Sequence, residues 1–198
     1  MTDSIFIPAG DGRFEPTDHA RGPWDPRALH GGAPAALIAR AFERLEPGAE
    51  LAIARLGFEF LRPIPLAPLT LRTRIVRKGR RVQELAAELT AASGGDDSGG
   101  DTDGEQLICR ASALRLQPVP DGLPSSGPAP PAAMPGPEHG RAVEFALNGE
   151  AGTSFATSGM EMSWLSDPWV QGPSKVCVLH DKHGALGRAF QTLVVQPR

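Results

Sequence analysis

The stretch RGPWDPRALHGGAPAALIARA, Arg21 to Ala41, decides the fold. Its first half, up to Gly32, is dense in turn-forming residues, and Pro34 follows where a helix tolerates proline best, in the first turn. Apolar residues then recur at helical spacing until Pro47-Gly48 interrupts the pattern: Leu37, Ile38, Ala41, Phe42 and Leu45. The stretch therefore predicts a single amphipathic helix over residues 33–46.

Strands are expected at residues 51–61, 69–77, 82–92 and 107–117. Residues 69–77 alternate cleanly, and a hairpin turn at 78–81 joins them to residues 82–92. A further short strand is expected near Phe14. An antiparallel sheet wrapped around the helix satisfies this order. We expect its interior to bury Leu37, Ile38, Phe42, Phe58 and Phe60.

Three segments are predicted to be loops or linkers. Residues 1–13 are polar and Gly-rich, and residues 93–106 form an acidic low-complexity stretch without a packed core. Residues 118–140 contain eight prolines, which excludes a regular packed element. These features predict an N-terminal unit at 14–117, a Pro-rich linker at 118–142 and a C-terminal unit at 143–198.

The C-terminal unit is expected to be an incomplete copy of the first. Short strands are predicted at 143–147 and 158–165, with a hairpin of 175–179 and 186–195 around the polar turn 180–184. The two units end in similar sequences, LRLQP at residues 114–118 and LVVQP at residues 193–197. The second unit has no segment that predicts a helix. Its uncovered apolar face predicts self-association through Phe145, Phe155, Trp164 and Phe190.

Composition excludes several classes of function. The net charge of −3 over 198 residues does not favour a nucleic-acid partner, and no apolar run has the length of a membrane span. The N-terminus has no secretory pattern, and Cys109 and Cys177 lack metal-site spacing. These observations favour a cytoplasmic protein without a metal or a cofactor.

Four stretches together resemble the TesB-like acyl-CoA thioesterase superfamily, whose members are double-hotdog proteins. They are the stretch from Arg21 to Ala41, FEFLRPIPLAPL (Phe58 to Leu69), RIVRKGRRVQELAAEL (Arg74 to Leu89) and GALGRAFQTLVVQPR (Gly184 to Arg198). The resemblance implies an α+β hotdog fold, in a double-hotdog arrangement whose second unit is incomplete here. It also implies an acyl-CoA substrate, hydrolysed to free acid and CoA.

The resemblance further implies catalytic residues in the second unit: an Asp, a Ser or Thr, and a Gln that together order the attacking water. Gln191 matches that Gln, whereas no residue matches the Asp or the Ser/Thr. Asp25 lies close before the HGG sequence, but its neighbours Pro23 and Pro26 favour an ordinary turn residue. The alternative is a non-catalytic acyl-group-binding hotdog or an inactive, internally deleted form. We expect a homo-oligomer in either case.

His30, Gly31 and Gly32 are the candidate substrate-binding residues. Backbone N–H groups at a helix N-terminus can polarise a thioester carbonyl, and glycines let a substrate approach the backbone closely. The same glycines are also compatible with a simple tight turn into the helix. The basic residues from Arg72 to Arg81 could meet the phosphates of CoA or form a solvated turn, and His180, Asp181 and His183 fit a polar turn.

Overall fold

The computed structural model describes residues 4–46, 50–92, 104–120, 139–142, 152–164, 177–181 and 192–195. Six antiparallel strands form the larger sheet, in the order β1-β2-β4-β5-β6-β3. Their bounds are β1 Phe6–Gly10, β2 Arg13–Pro16, β3 Ala52–Phe60, β4 Leu69–Arg77, β5 Val82–Ala92 and β6 Glu105–Leu116. The helix α1, Gly32–Arg44, separates β2 from β3 in the chain.

The helix forms where the sequence predicts it, beginning at Gly32, one residue earlier than expected. Pro34 is its third residue, where the missing N–H costs no intrahelical hydrogen bond. Alanine is the commonest residue in the rest of the helix, and it has the highest helix propensity. The buried residues of α1 include Ile38 and Phe42, which are completely inaccessible to solvent.

One face of the larger sheet packs against α1 and forms the core. The buried positions alternate along each central strand: Leu69 and Leu71 in β4, Leu85, Ala87 and Leu89 in β5, Cys109, Ala111 and Ala113 in β6. The alternation predicted for residues 69–77 is therefore seen at the buried start of β4. Burying each large apolar side chain contributes about 1.5–3 kcal/mol, so this face holds the helix.

Two expectations about the core and the N-terminus are wrong. Phe60 is 47% exposed and Phe58 is only half-buried, because β3 is the edge strand of the larger sheet within the described residues. Residues 6–10 are a strand rather than a loop, since β1 pairs with β2 around a tight turn. Gly10, Asp11 and Gly12 all have positive φ there, which glycine and aspartate tolerate better than most residues.

Four strands form a second antiparallel sheet, in the order β10-β9-β8-β7. They are β7 Arg141–Ala142, β8 Met160–Trp164, β9 Cys177–Asp181 and β10 Thr192–Val195. The predicted C-terminal hairpin is confirmed by the pairing of β9 with β10, although β9 continues through His180 and Asp181. The strand predicted at 143–147 lies outside the described residues.

The limits of the units and of the linker stay predictions. β6 ends at Leu116, close to the predicted end of the first unit. Most of the Pro-rich stretch, 121–138, and most of the acidic stretch, 93–103, lie outside the described residues. Within the described ranges, no helix has the length and hydropathy needed to cross a membrane.

Candidate functional site

The sequence His30-Gly31-Gly32 forms the entrance to α1, as the motif predicts. The His30 N–H donates to the Ala20 carbonyl at 2.9 Å, and the His30 carbonyl accepts from the Ala33 N–H at 3.0 Å. Gly31 is the N-cap residue and Gly32 the first helical residue. The three residues are thus held on both sides by backbone hydrogen bonds, and the helix dipole points its positive end at them.

The imidazole of His30 forms a hydrogen bond with one of the backbone N–H groups at the start of α1. Its Nδ1 accepts a hydrogen bond from the Gly32 N–H at 3.0 Å, so Nδ1 carries no proton. Burial lowers the pKa of His30 below its ordinary value, which favours the same neutral imidazole. The Gly32 N–H is therefore engaged, whereas no described residue accepts a hydrogen bond from the Gly31 N–H.

Phe155, which comes from the second half of the chain, closes one side of this entrance. Its ring stacks on the His30 ring with centroids 5.0 Å apart and an interplanar angle of 17°. A Cβ on Gly32 would lie 2.7 Å from the Phe155 ring, which is closer than real contacts allow. Only glycine at position 32 therefore permits this closure.

A single π-helical turn, Phe155–Gly159, holds Phe155 in place. The Phe155 N–H donates to the Arg21 carbonyl at 3.0 Å, and Ser158 Oγ lies 2.8 Å from His19 Nδ1. Ser154 caps the turn by exchanging hydrogen bonds with Thr157. Phe155 was expected on an uncovered face that drives self-association, and that expectation is wrong because the ring is 6% exposed against the first unit.

Phe60 lies beside Gly31 on another side of the entrance. A Cβ on Gly31 would lie 3.7 Å from the Phe60 ring, an ordinary contact distance. Phe58 and Phe60 stack with centroids 6.2 Å apart. Gly31 therefore lies next to apolar ring surface, an arrangement suited to a group with one carbonyl oxygen and an apolar chain.

Asp25, the carboxylate nearest to His30 in the sequence, is a weak candidate for a general base. Asp25 Oδ1 accepts from the Arg27 N–H at 2.9 Å, and its Oδ2 lies 3.2 Å from the Arg27 guanidinium. Hydrogen bonds from Arg27 hold the pKa of this exposed carboxyl below its ordinary value. A carboxylate with a lowered pKa accepts a proton less readily, so the interpretation of Asp25 as a turn residue stands.

Some of the remaining candidate residues form ion pairs, and others lie outside the described residues. Three of the basic residues at the β4–β5 hairpin have acidic partners: Arg72 with Glu105, Arg77 with Glu84, and Lys78 with Glu46. Gln191 and His183 lie outside the described residues, and Gln191 stays a prediction. In the part of the chain that the structure describes, no three His, Cys, Asp or Glu residues are grouped to hold a metal.

Sequence reasoning located the helix entrance but missed its closure. Phe155 is separated from His30 by more than a hundred residues and by four segments outside the described residues. No local pattern in FATSG indicates that contact, because the stack depends on how two distant segments pack.

Residues 20–116 match the sequence model of the acyl-CoA thioesterase N-terminal domain. This stretch runs from the residue before the quoted Arg21 to the last residue of β6 and includes the whole helix entrance. This match, over just under half of the 198-residue chain, supports a relationship to the thioesterase superfamily. No curated protein is similar enough in sequence to match the chain.

Solved structures with a similar fold extend over more of the chain. A protein of Thermobifida fusca provisionally named thioesterase II has a TM-score of 0.56 at 15% identity, covering 96% of this chain and 64% of its own. A provisionally named thioesterase of Novosphingobium aromaticivorans has a TM-score of 0.55 at 19% identity, with coverages of 91% and 66%. An Alicyclobacillus acidocaldarius protein of unknown function, described as having a hot dog fold, has a TM-score of 0.55 at 14% identity. The similarity covers 89% of this chain and 60% of that protein.

These likenesses establish the fold. The predicted α+β hotdog class is confirmed by the antiparallel sheet around α1 and by its structural neighbours. The chain spans between 60% and 66% of the length of the three proteins. The double-hotdog arrangement with an incomplete second unit stays a prediction.

Proposed function

We propose that this chain binds acyl-CoA thioesters at the entrance to α1 and hydrolyses them to free acid and CoA. The observation that carries the proposal is the Gly31 N–H, which has no hydrogen-bond acceptor among the described residues at the positive end of α1. The acyl-CoA thioesterase family match at residues 20–116 supports the substrate class.

The proposed chemistry begins with the thioester carbonyl. Its oxygen accepts a hydrogen bond from the Gly31 N–H, and the helix dipole stabilises the negative charge that develops as water attacks. The apolar ring of Phe60 lies close enough to Gly31 to contact the acyl chain. His30, Gly31 and Gly32 are thus proposed as substrate-binding residues, with His30 shaping the site through its neutral ring.

Gln191 is proposed to orient the attacking water. Its amide can accept and donate hydrogen bonds but cannot take up a proton at neutral pH. Loss of a general base costs about 10²–10⁴ in rate. We therefore expect slow turnover from this chain unless a base lies outside the described residues.

A second candidate function is non-catalytic binding of acyl groups, either as the natural role or in an inactive, internally deleted form. It is favoured by the Gly32 N–H, which is already bonded to His30 Nδ1 and leaves a single donor for an oxyanion. It is also favoured by Asp25, whose oxygens are held by Arg27. One donor and no positioned base suffice to hold a carbonyl group.

The remaining assignments are proposals of the same kind. They are membership of the TesB-like branch, a role in fatty-acid metabolism, a cytoplasmic location and assembly as a homo-oligomer.

The Gly31 N–H can be removed with little change elsewhere. Gly31 has φ −56°, which proline adopts, and a Cβ there meets only the Phe60 ring at 3.7 Å. Gly31→Pro deletes the donor, and Gly31→Ala is the matched control that keeps it. Thiol release from short- and long-chain acyl-CoAs should fall about 10²–10³-fold for Gly31→Pro relative to Gly31→Ala.

Equal rates for the two variants would show that the Gly31 N–H does not stabilise the transition state. Calorimetry with a non-hydrolysable acyl-CoA thioether separates the two candidate functions. Binding without any turnover in the wild type indicates the non-catalytic role, and absence of both binding and turnover overturns the proposal.

A further inference from the structure

His30 controls one of the two backbone N–H groups at the start of α1. Gly31 has φ −56° and ψ −26°, which is helical geometry, so the N–H groups of Gly31 and Gly32 point out of the same end of the helix. The Gly31 N–H has no acceptor among the described residues, whereas the Gly32 N–H donates to His30 Nδ1 at 3.0 Å. The entrance therefore offers one donor while the His30 ring is neutral.

We propose that His30 is a positioning residue whose proton state sets the number of donors at this entrance, one when the ring is neutral and two when it is protonated. A protonated Nδ1 carries a hydrogen and can no longer accept from the Gly32 N–H. The positive end of the helix also repels the imidazolium, so the ring turns away. The Gly32 N–H is then a second donor beside the Gly31 N–H. This inference rests on the proposed function, in which the Gly31 N–H holds the thioester oxygen.

The surroundings of His30 hold its ring neutral at pH 7. The Phe155 ring stacks on the imidazole with centroids 5.0 Å apart and is itself 6% exposed, so one face of the imidazole is shielded from water. Burial lowers the pKa of His30 below the ordinary value of about 6.5. The entrance therefore has one donor at neutral pH and gains the second only as the pH falls below that value.

Among the described residues, no charged group contributes to the shift in the pKa of His30, whose cause is burial. The first turn of α1 has no acidic residue, and the π-helical turn has no titratable one. The His19 ring is hydrogen-bonded to that turn. Glu59 and Arg62, at and just beyond the end of β3, are exposed and opposite in charge. In the segment before His30, two ion pairs leave no net charge: Asp18 with Arg21, and Asp25 with Arg27.

A second donor changes the rate of hydrolysis in a defined direction. Negative charge grows on the thioester oxygen as water attacks, and removal of one N–H that meets this charge costs about 10²–10³ in rate. Turnover should therefore rise as the pH falls, in proportion to the fraction of His30 that is protonated. A carboxylate or imidazole acting as general base would give the opposite slope, because it loses its function when protonated.

His30→Asn fixes the entrance in its one-donor state. An asparagine side-chain oxygen accepts from the backbone N–H two residues further on, as in an Asx turn, so this substitution keeps the Gly32 N–H engaged at every pH. His139→Asn is the matched control, since His139 is an exposed histidine that takes no part in the entrance to α1. It should keep the pH dependence of the wild type.

The first measurement does not depend on activity. In NMR spectra of the full chain, the Gly32 amide proton should move upfield with the same midpoint as the His30 ring titrates, and it should stay in place in His30→Asn. A Gly32 amide that does not follow the His30 ring, or a ring that stays neutral until the protein unfolds, overturns the proposal.

The second measurement is thiol release from short-chain acyl-CoAs between pH 8 and about pH 5.5. The wild type should gain at least about tenfold over His30→Asn across this range. Equal pH profiles for these two proteins overturn the positioning role of His30. If the Gly32 amide follows the His30 ring but no thiol is released at any pH, the proton-dependent change at the entrance stands and the proposed hydrolysis is wrong.

Discussion

Among the polar side chains, Arg115 is the one whose removal we expect to destabilise the fold most. It lies on β6, is 3% exposed, and reaches the C-terminal end of α1. Its Nη1 donates to the Leu45 carbonyl at 2.8 Å, and its Nη2 donates to the Phe42 carbonyl. The Leu45 carbonyl follows the last helical residue, where intrahelical donors are missing, and the Phe42 carbonyl also accepts from the Leu45 N–H at 3.3 Å.

Arg115→Met keeps most of the side-chain volume but removes both hydrogen bonds. A buried acceptor without a partner costs about 1–3 kcal/mol, and only the Leu45 carbonyl is left without one, since the Phe42 carbonyl keeps the Leu45 N–H. Part of this is offset because the buried guanidinium no longer has to be desolvated, and its Nε has no partner among the described residues. We therefore expect the free energy of unfolding to fall by about 1–3 kcal/mol.

Urea unfolding followed by far-UV circular dichroism measures this loss. Arg13→Met is the matched control, since Arg13 is an exposed arginine on β2 and should change stability by less than about 0.5 kcal/mol. Arg115→Lys should recover only part of the loss, because one ammonium group cannot span two carbonyls as a guanidinium does. If Arg115→Met is as stable as Arg13→Met, the interpretation of Arg115 as the cap of α1 is wrong.

Two further predictions concern buried titratable groups. Burial lowers the pKa of His30 in the folded state, so the unfolded chain binds a proton first as the pH falls. Stability should thus decline from about pH 7 downward, by at most about 1.4 kcal/mol per pH unit for this one group, and His30→Asn should flatten that part of the profile. Burial raises the pKa of the Cys109 thiol to about 11. In a Cys177→Ser background, alkylation at pH 8 should be at least about 100-fold slower when folded than in urea, and equal rates would contradict the burial of Cys109.

The sequence by itself determined the hotdog unit, for a local reason. Helical spacing of apolar residues in α1, period-two alternation in β4 to β6, and the turn at Lys78 to Arg81 each depend on neighbours within a few residues. Such patterns state which face of each element must be buried, and one helix with several strands leaves few ways to bury them. The position of His30, Gly31 and Gly32 at the start of α1 follows from the same local signals.

Only the tertiary structure decided how this entrance is closed and which strand stays at the edge. The exposure of Phe60 results from the strand order, in which β3 has a partner on one side only. The stacking of Phe155 on His30, and with it the need for glycine at position 32, joins residues far apart in the chain. Such contacts depend on how elements pack against one another, and no local periodicity encodes a long-range pairing of single side chains.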